Sequence, residues 1–214
     1  AGRDYDIMHS LDFVSAFLQG DLDRDVTVKL PIGVLGCTAD ETKYAKLGAP
    51  LYGLVDAPRA WLTKIRASLE EFGLMRSKVD NCMFTLQDDE NQLSLALILY
   101  VDDMLVIGNR EPYEKLIRFL HEGYNMKELG PTSKFLGVQV ERDRTAGTVS
   151  IHQTQYIDEM LEEMNMLEAK SKTTPWATGT ILSKDQQPTT KEELDEMKST
   201  PYINAVGKLL HLAR

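Results

Sequence analysis

The segment Leu95–Gly108, LALILYVDDMLVIG, constrains the fold more than any other part of the sequence. Two runs of apolar residues meet at Asp102 and Asp103, and too few residues separate the runs for anything except a tight hairpin. Short apolar runs of this kind are typical of strands buried inside a sheet. We therefore predict an antiparallel hairpin that carries two adjacent carboxylates at its turn.

The paired carboxylates have both a structural and a chemical interpretation. Aspartate is favoured in turns because its side chain accepts hydrogen bonds from nearby backbone groups, so the pair could be a turn feature alone. Two ionised carboxylates 4 Å apart, however, repel by about 4 kcal/mol at an effective dielectric of about 20. A bound divalent cation removes that repulsion. Both interpretations stay open on the residues alone.

A third aspartate, Asp12, lies in the apolar segment Ser10–Leu22, SLDFVSAFLQGDL. An unpaired carboxylate in apolar surroundings is costly, so Asp12 needs a partner, and a metal ion shared with Asp102 is one candidate. Alternatively, Asp12 could cap a helix that runs through the residues after it. The sequence does not decide between these two interpretations.

Composition adds limits on function and compartment. The chain has 214 residues and a formal net charge of −9, which counts against nucleic-acid binding, since proteins that grip phosphates usually present a basic face. No apolar run approaches the roughly 20 residues that cross a bilayer, so we expect no membrane partner. Cys37 and Cys82 lack disulfide or CxxC spacing, which favours a reducing, intracellular location in the cytoplasm or nucleus. The chain opens with Ala1 rather than methionine, and we expect it to be part of a longer protein.

Apolar residues at helical spacing predict four helices, which follow Pro58, follow Pro112, contain Tyr156 and follow Pro201. We expect all four apolar stripes to be buried in the core. Strand-like hairpins between the helices indicate an α+β fold with a largely antiparallel sheet packed on helices. The polar stretch 168–200 reads as a linker.

Four segments spread along nearly the whole chain form a further pattern. They are DFVSAFLQGDL at 12–22, LYGL at 51–54 followed by APRAW at 57–61, YVDD at 100–103 and FLG at 135–137. In this order and with these gaps, they resemble the motifs of copia-type reverse transcriptases. The resemblance implies RNA-directed DNA polymerase activity in a fragment of a retrotransposon polyprotein.

The resemblance also implies an architecture and a set of partners. Residues 1–165 would form a right-hand polymerase palm with partial fingers, and residues 166–214 a linker with a helical thumb or connection segment. The partners would be an RNA or DNA template with its primer, deoxynucleoside triphosphates, and the rest of the polyprotein, including integrase and RNase H.

The catalytic and metal-binding residues implied by the resemblance are the three aspartates. Asp12 and Asp102 would bind two Mg²⁺ ions about 4 Å apart, with Asp103 contributing and Mn²⁺ as a possible substitute. Because successive strand residues point to opposite faces, we expect Asp102 to be the closer ligand of the adjacent pair.

Substrate-binding residues are also implied by the resemblance. Phe17 would lie under the sugar and exclude a ribose 2′-hydroxyl, and the alternative is that it is an ordinary core residue. The implied nucleotide-binding residues are Phe13, Phe17, Asp56 and Tyr100. The implied primer-binding residues are Phe135, Leu136 and Gly137.

One departure from the family pattern concerns activity. The family usually has Lys-Gln between Leu54 and Ala57, and this chain has Val55 and Asp56. The glutamine normally lies beside the incoming nucleotide, so we expect the charge of Asp56 to weaken triphosphate binding. This favours an alternative, an inactive or repurposed remnant that keeps the fold without polymerase activity. The intact aspartates oppose that alternative.

Overall fold

The computed structural model describes residues 5–39, 42–174, 176–177 and 179–213, with the backbone alone for Ser199. The strands are β1 (Ile7–Phe13), β2 (Thr27–Lys29), β3 (Tyr44–Lys46), β4 (Met75–Arg76), β5 (Met83–Gln87), β6 (Leu93–Tyr100), β7 (Asp103–Gly108), β8 (Met126–Pro131), β9 (Lys134–Phe135), β10 (Val138–Asp143) and β11 (Thr148–His152). The α-helices are α1 (Ala57–Glu71), α2 (Arg110–Gly123), α3 (Thr154–Glu163), α4 (Lys191–Ser199) and α5 (Tyr202–Leu212). Short 3₁₀ helices cover Ala16–Gln19, Val34–Gly36 and Lys184–Gln186.

Six antiparallel strands in the order β4-β5-β6-β7-β1-β8 form the main sheet. The predicted hairpin is present as β6 and β7, and β1 lies between β7 and β8. This arrangement brings the β6–β7 turn beside the end of β1. The expected α+β architecture with an antiparallel sheet is confirmed. Two small sheets accompany it, β2-β3 and β9-β10-β11.

Helices α1 and α2 contribute to one core cluster together with the main sheet. Helix α1 begins with Pro58 in its first turn, where the missing N–H of proline costs nothing. Its buried residues Trp61, Ile65 and Leu69 recur every four positions and so share one face. The predicted stripes of α1 and α2 are therefore confirmed as core.

Contacts divide the chain into two compact units, residues 1–136 with 140–150, and residues 137–139 with 151–214. The main sheet, α1 and α2 belong to the first unit. The palm and thumb division that we expect at residue 165 remains a prediction. Within the described ranges, none of the helices has the length and apolar character that a membrane crossing requires.

The second unit corrects one expectation from the sequence. Neither α3 nor α5 contains a buried residue, so the prediction that their apolar stripes lie in a core is wrong. Three short helices in so small a unit have too little apolar surface to enclose a core. The two helices meet at the surface: Glu163 accepts hydrogen bonds from Asn204 at 3.0 Å and from Lys208, and the rings of Tyr156 and His211 lie 5.0 Å apart.

Candidate active site

The turn between β6 and β7 is strained. Tyr100 pairs with Asp103, which leaves Val101 and Asp102 as the two turn residues. Val101 has a φ of 54°, in the left-handed region. A residue held in such a conformation costs about 1–3 kcal/mol and persists where its surroundings fix it. Val101 is also β-branched, which makes this conformation a genuine outlier.

Two hydrogen bonds hold this turn in place. The indole N–H of Trp61, in α1, donates to the carbonyl oxygen of Val101 at 2.7 Å. The backbone N–H of Phe13, in β1, donates to the carbonyl oxygen of Asp102 at 2.9 Å. Trp61 is only 1% exposed, and a buried indole N–H needs an acceptor. The position of Asp102 is therefore set by both the helix and the neighbouring strand.

Asp12 lies directly opposite Asp103 in the pairing of β1 with β7. Its neighbours Leu11 and Phe13 are buried, so alternation along the strand turns Asp12 away from the core. Directly opposite residues share a face, with their Cβ atoms roughly 4.5–5.5 Å apart, and like charges there are destabilising. The sheet thus makes Asp103 the cross-strand neighbour of Asp12.

The surroundings of the Asp103 carboxyl group change its pKa. Partial desolvation raises the pKa of Asp103, and the negative charges of Asp12 and Asp102 raise it further. Three carboxyl groups therefore interact at the ends of central strands of the sheet.

Replacing Asp103 with asparagine is expected to raise the thermal midpoint of unfolding at neutral pH in EDTA, because it removes this repulsion. A raised folded-state pKa destabilises the fold as pH rises above the ordinary aspartate value, and the effect is complete above the raised value. The gain from Asp103→Asn should therefore disappear as pH falls through that window. Melting curves across pH test this. A midpoint unchanged at neutral pH would contradict it.

Asp102 is joined to a residue from a distant segment. The Tyr52 hydroxyl donates to Oδ2 of the Asp102 carboxylate at 3.4 Å. Desolvation raises the pKa of Tyr52, and the charges of Asp102 and, to a smaller extent, Asp12 raise it further. One phenol oxygen therefore lies within the electrostatic reach of two of the three aspartates.

The donor set suits a hard divalent cation, because carboxylate oxygens are the ligands that Mg²⁺ prefers. Across the described ranges, no three carboxylate, histidine or cysteine side chains already stand close enough together to enclose an ion. Metal binding by the three aspartates stays a prediction. Repulsion that raises the pKa of Asp103 is the imbalance that a cation relieves, so the residues fit a metal.

Phe17 and Phe13 have different surroundings. Phe17 lies in the 3₁₀ helix Ala16–Gln19, is partly buried, and contacts the Tyr52 ring in a tilted arrangement, with 4.6 Å between ring centroids and 41° between ring planes. Phe13 is 1% exposed and packs edge-on against Trp61 at 5.1 Å. Phe13 therefore supports the site through its core packing and its backbone N–H, and a contact of Phe13 with the nucleotide stays a prediction.

Comparison with known proteins identifies the family. A family model described as "Reverse transcriptase (RNA-dependent DNA polymerase)" matches residues 1–178. The chain belongs to this reverse transcriptase family.

Curated relatives show that the reverse transcriptase is of the copia type. It is 36% identical over 205 residues to the Retrovirus-related Pol polyprotein from transposon TNT 1-94 of Nicotiana tabacum, covering 95% of this chain and 15% of the relative. It is 33% identical to the corresponding polyprotein from transposon RE1 of Arabidopsis thaliana, covering 96% and 13%. A putative transposon Ty5-1 protein of Saccharomyces cerevisiae is 28% identical, covering 95% and 63%. The chain thus corresponds to a small part of the length of the two plant polyproteins.

Other expected site residues of the reverse transcriptase lie at turns and strand ends. Tyr100 ends β6 and is exposed. Phe135 ends β9, and Leu136 and Gly137 follow with φ values of 49° and 85°. Two successive left-handed residues form a sharp turn, and the glycine adopts its conformation without a Cβ penalty. Primer binding by this turn stays a prediction.

Asp56 has a partner that the sequence did not reveal. Its carboxylate Oδ2 accepts a hydrogen bond from Nε of Arg24 at 2.7 Å, and this bond holds the pKa of Asp56 below its ordinary value. Both residues line a cavity of about 650 Å³ along α1, together with Arg59 and Lys64. The isolated charge on which our expectation depended is therefore paired, and a place for Asp56 beside the nucleotide stays a prediction.

Sequence reasoning missed three supporting residues. Tyr52 was noted only as part of a family segment, and Trp61 as part of a family segment and of the apolar stripe of the helix that follows Pro58. Gln19 was likewise noted only within its segment, yet its amide donates to the carbonyl oxygens of Val14 and Asn125 at 2.8 and 2.9 Å. A tryptophan on a core stripe, which needs an acceptor for its N–H, was the one available signal.

Proposed function

We propose that this chain is the palm of an RNA-directed DNA polymerase that carries out two-metal nucleotidyl transfer. The observation that carries the proposal is the strained β6–β7 turn, which is pinned by α1 and β1 and presents Asp102 and Asp103 beside Asp12. Strain maintained by a dedicated set of hydrogen bonds is characteristic of functional sites.

The three aspartates would hold the ions, with Mn²⁺ able to replace Mg²⁺. Two bound Mg²⁺ ions would supply activation of the primer 3′-hydroxyl and neutralisation of the triphosphate and the departing pyrophosphate. Phe17 would bound the sugar pocket, Tyr100 would lie near the primer terminus, and the turn at Gly137 would let the backbone approach the primer closely.

The resemblance to Pol polyproteins supports the rest of the proposal. The substrates would be deoxynucleoside triphosphates and a primer on an RNA or DNA template. The partners would be other regions of such a polyprotein, integrase and RNase H among them. Residues 1–165 would serve as palm with partial fingers, residues 166–214 as linker and thumb or connection segment, and the location would be the cytoplasm or nucleus.

Primer extension with Mg²⁺ on RNA and DNA templates tests the proposal. The assay should use this chain and a longer version that carries upstream sequence of its parent protein. Template-dependent extension on RNA would support a polymerase. Divalent-ion binding at the aspartates without extension in either form would instead favour the alternative, a remnant that keeps the fold and the site without the activity.

Replacing Phe17 with valine is expected to admit ribonucleotides with little loss of deoxynucleotide use. The smaller side chain leaves room for a 2′-hydroxyl, and a steric difference of this size changes discrimination on the order of 10-fold. Competition between the two nucleotide types measures it. Phe119→Val, the same change at another partly buried position packed on the core, is the control. Unchanged discrimination in Phe17→Val would return Phe17 to an ordinary core role.

A further inference from the structure

Tyr52 contacts two parts of the proposed site, the sugar pocket at Phe17 and the metal-binding carboxylate of Asp102. Its ring packs at a tilt against Phe17, where the sugar of an incoming nucleotide would lie, and its hydroxyl donates to the Asp102 carboxylate. The phenol therefore uses a carboxylate lone pair that a metal ion would need. The same ring stands over the aromatic surface that the sugar would need.

These contacts are suited to opening. Tyr52 is 54% exposed, and the O–H···O distance of 3.4 Å exceeds the usual 2.5–3.0 Å range of such bonds. The residue stands on a tight turn closed by a hydrogen bond from the Leu54 N–H to the Leu51 carbonyl at 3.1 Å, with Gly53 at a φ of 95°. A side-chain rotation on this turn would free Phe17 and Asp102 without a change in the sheet.

We propose that Tyr52 is a gate that competes with the divalent cation for Asp102 and closes the nucleotide pocket in the ligand-free protein. The inference rests on the proposed function, because it assumes that Asp102 binds metal and that Phe17 contacts the sugar. Metal and nucleotide would need the same rotation of Tyr52. Each ligand would therefore favour the open position for the other, and this coupling must be reciprocal.

Tyr52→Phe separates the hydroxyl from the ring. It keeps the ring contact with Phe17 and removes the hydroxyl, which hydrogen-bonds to Asp102 and also interacts with the Phe17 backbone. The 214-residue chain should then bind Mn²⁺ about 3- to 10-fold more tightly, which is the effect of losing one competing hydrogen bond of ordinary net strength, because this bond to the carboxylate is long. Free Mn²⁺ measured by electron paramagnetic resonance gives the affinity directly. Tyr44→Phe, the same change at an exposed tyrosine in β3, should leave the affinity unchanged.

A double substitution shows whether the effect passes through Asp102. In the Asp102→Asn background the Tyr52→Phe change should no longer tighten Mn²⁺ binding. The carboxylate for which the Tyr52 hydroxyl and the metal ion compete is then absent. If Tyr52→Phe still increases the Mn²⁺ affinity in that background, the effect does not pass through Asp102, and the gate is overturned. Adding a deoxynucleoside triphosphate should tighten Mn²⁺ binding more in the unsubstituted chain than in Tyr52→Ala, which has no ring to displace.

The outcomes separate the gate from the proposed function. Equal Mn²⁺ affinity in the unsubstituted chain and in Tyr52→Phe overturns the gate and leaves the polymerase proposal standing. No Mn²⁺ binding in either protein overturns the gate and the metal site together. Tighter binding that depends on Asp102 supports both.

Discussion

Primer extension is expected to fall by about 1000-fold or more when Asp12 is replaced with asparagine. An amide cannot supply the negative charge that holds a divalent cation, and metal ions contribute several kcal/mol of transition-state stabilisation. A loss of about 4 kcal/mol corresponds to that change in rate. Single-turnover extension on a primed RNA template, with saturating Mg²⁺, measures it.

The same substitution should leave the fold at least as stable as before. Asp12→Asn removes one member of a like-charged cross-strand pair, so the free energy of unfolding should not fall. Asp89→Asn, at an exposed aspartate of the β5–β6 connection, provides a matched control that should alter neither property. Retention of more than a tenth of the activity in Asp12→Asn would remove Asp12 from the metal site.

Replacing Trp61 with alanine is expected to lower the free energy of unfolding by about 3–5 kcal/mol, the usual cost of deleting a large buried aromatic side chain. Trp61→Phe removes the donor to the Val101 carbonyl and also three of the ten side-chain heavy atoms, so its cost should exceed about 1 kcal/mol but stay below that of Trp61→Ala. Chemical denaturation followed by circular dichroism measures both. Trp176→Phe, at a tryptophan that is 61% exposed, is the control.

Trp61→Phe should also reduce activity more than its stability loss explains. Without the indole hydrogen bond the left-handed Val101 has one constraint fewer, and the adjacent Asp102 loses its fixed position. Displacements of about 1 Å in a catalytic group can cost on the order of 100-fold in rate. Full activity in a folded Trp61→Phe protein would show that the β1 hydrogen bond alone fixes the turn.

Local sequence patterns were enough to predict several elements of the fold. The β6–β7 hairpin followed from two apolar runs around Asp102 and Asp103, and α1 followed from Pro58 and a stripe at helical spacing. These signals are contained within single segments, where period and punctuation determine the structure. The prediction that the apolar stripe of α5 is buried was wrong. Periodicity identifies an apolar face of a helix but does not show whether other residues cover that face.

The parts of the site that escaped prediction depend on contacts between distant segments. The register that sets Asp12 opposite Asp103, the ion pair of Asp56 with Arg24, and the approach of Tyr52 to Asp102 all depend on the path of intervening loops. No spacing rule in one sequence fixes such a path. The aspartates were found because each carboxylate was individually expensive in its apolar setting.

The place of β1 inside the sheet has a consequence for biosynthesis. Strand β1 is made first among the strands, but both of its neighbours, β7 and β8, follow on the order of 100 residues later. At about 5–20 residues per second, a ribosome leaves β1 without its partners for roughly 5–20 s. The apolar side chains of Ile7, Leu11 and Phe13 face water during that interval. Asp12 can therefore meet Asp102 and Asp103 only once β7 has been made, late in the synthesis of the sheet.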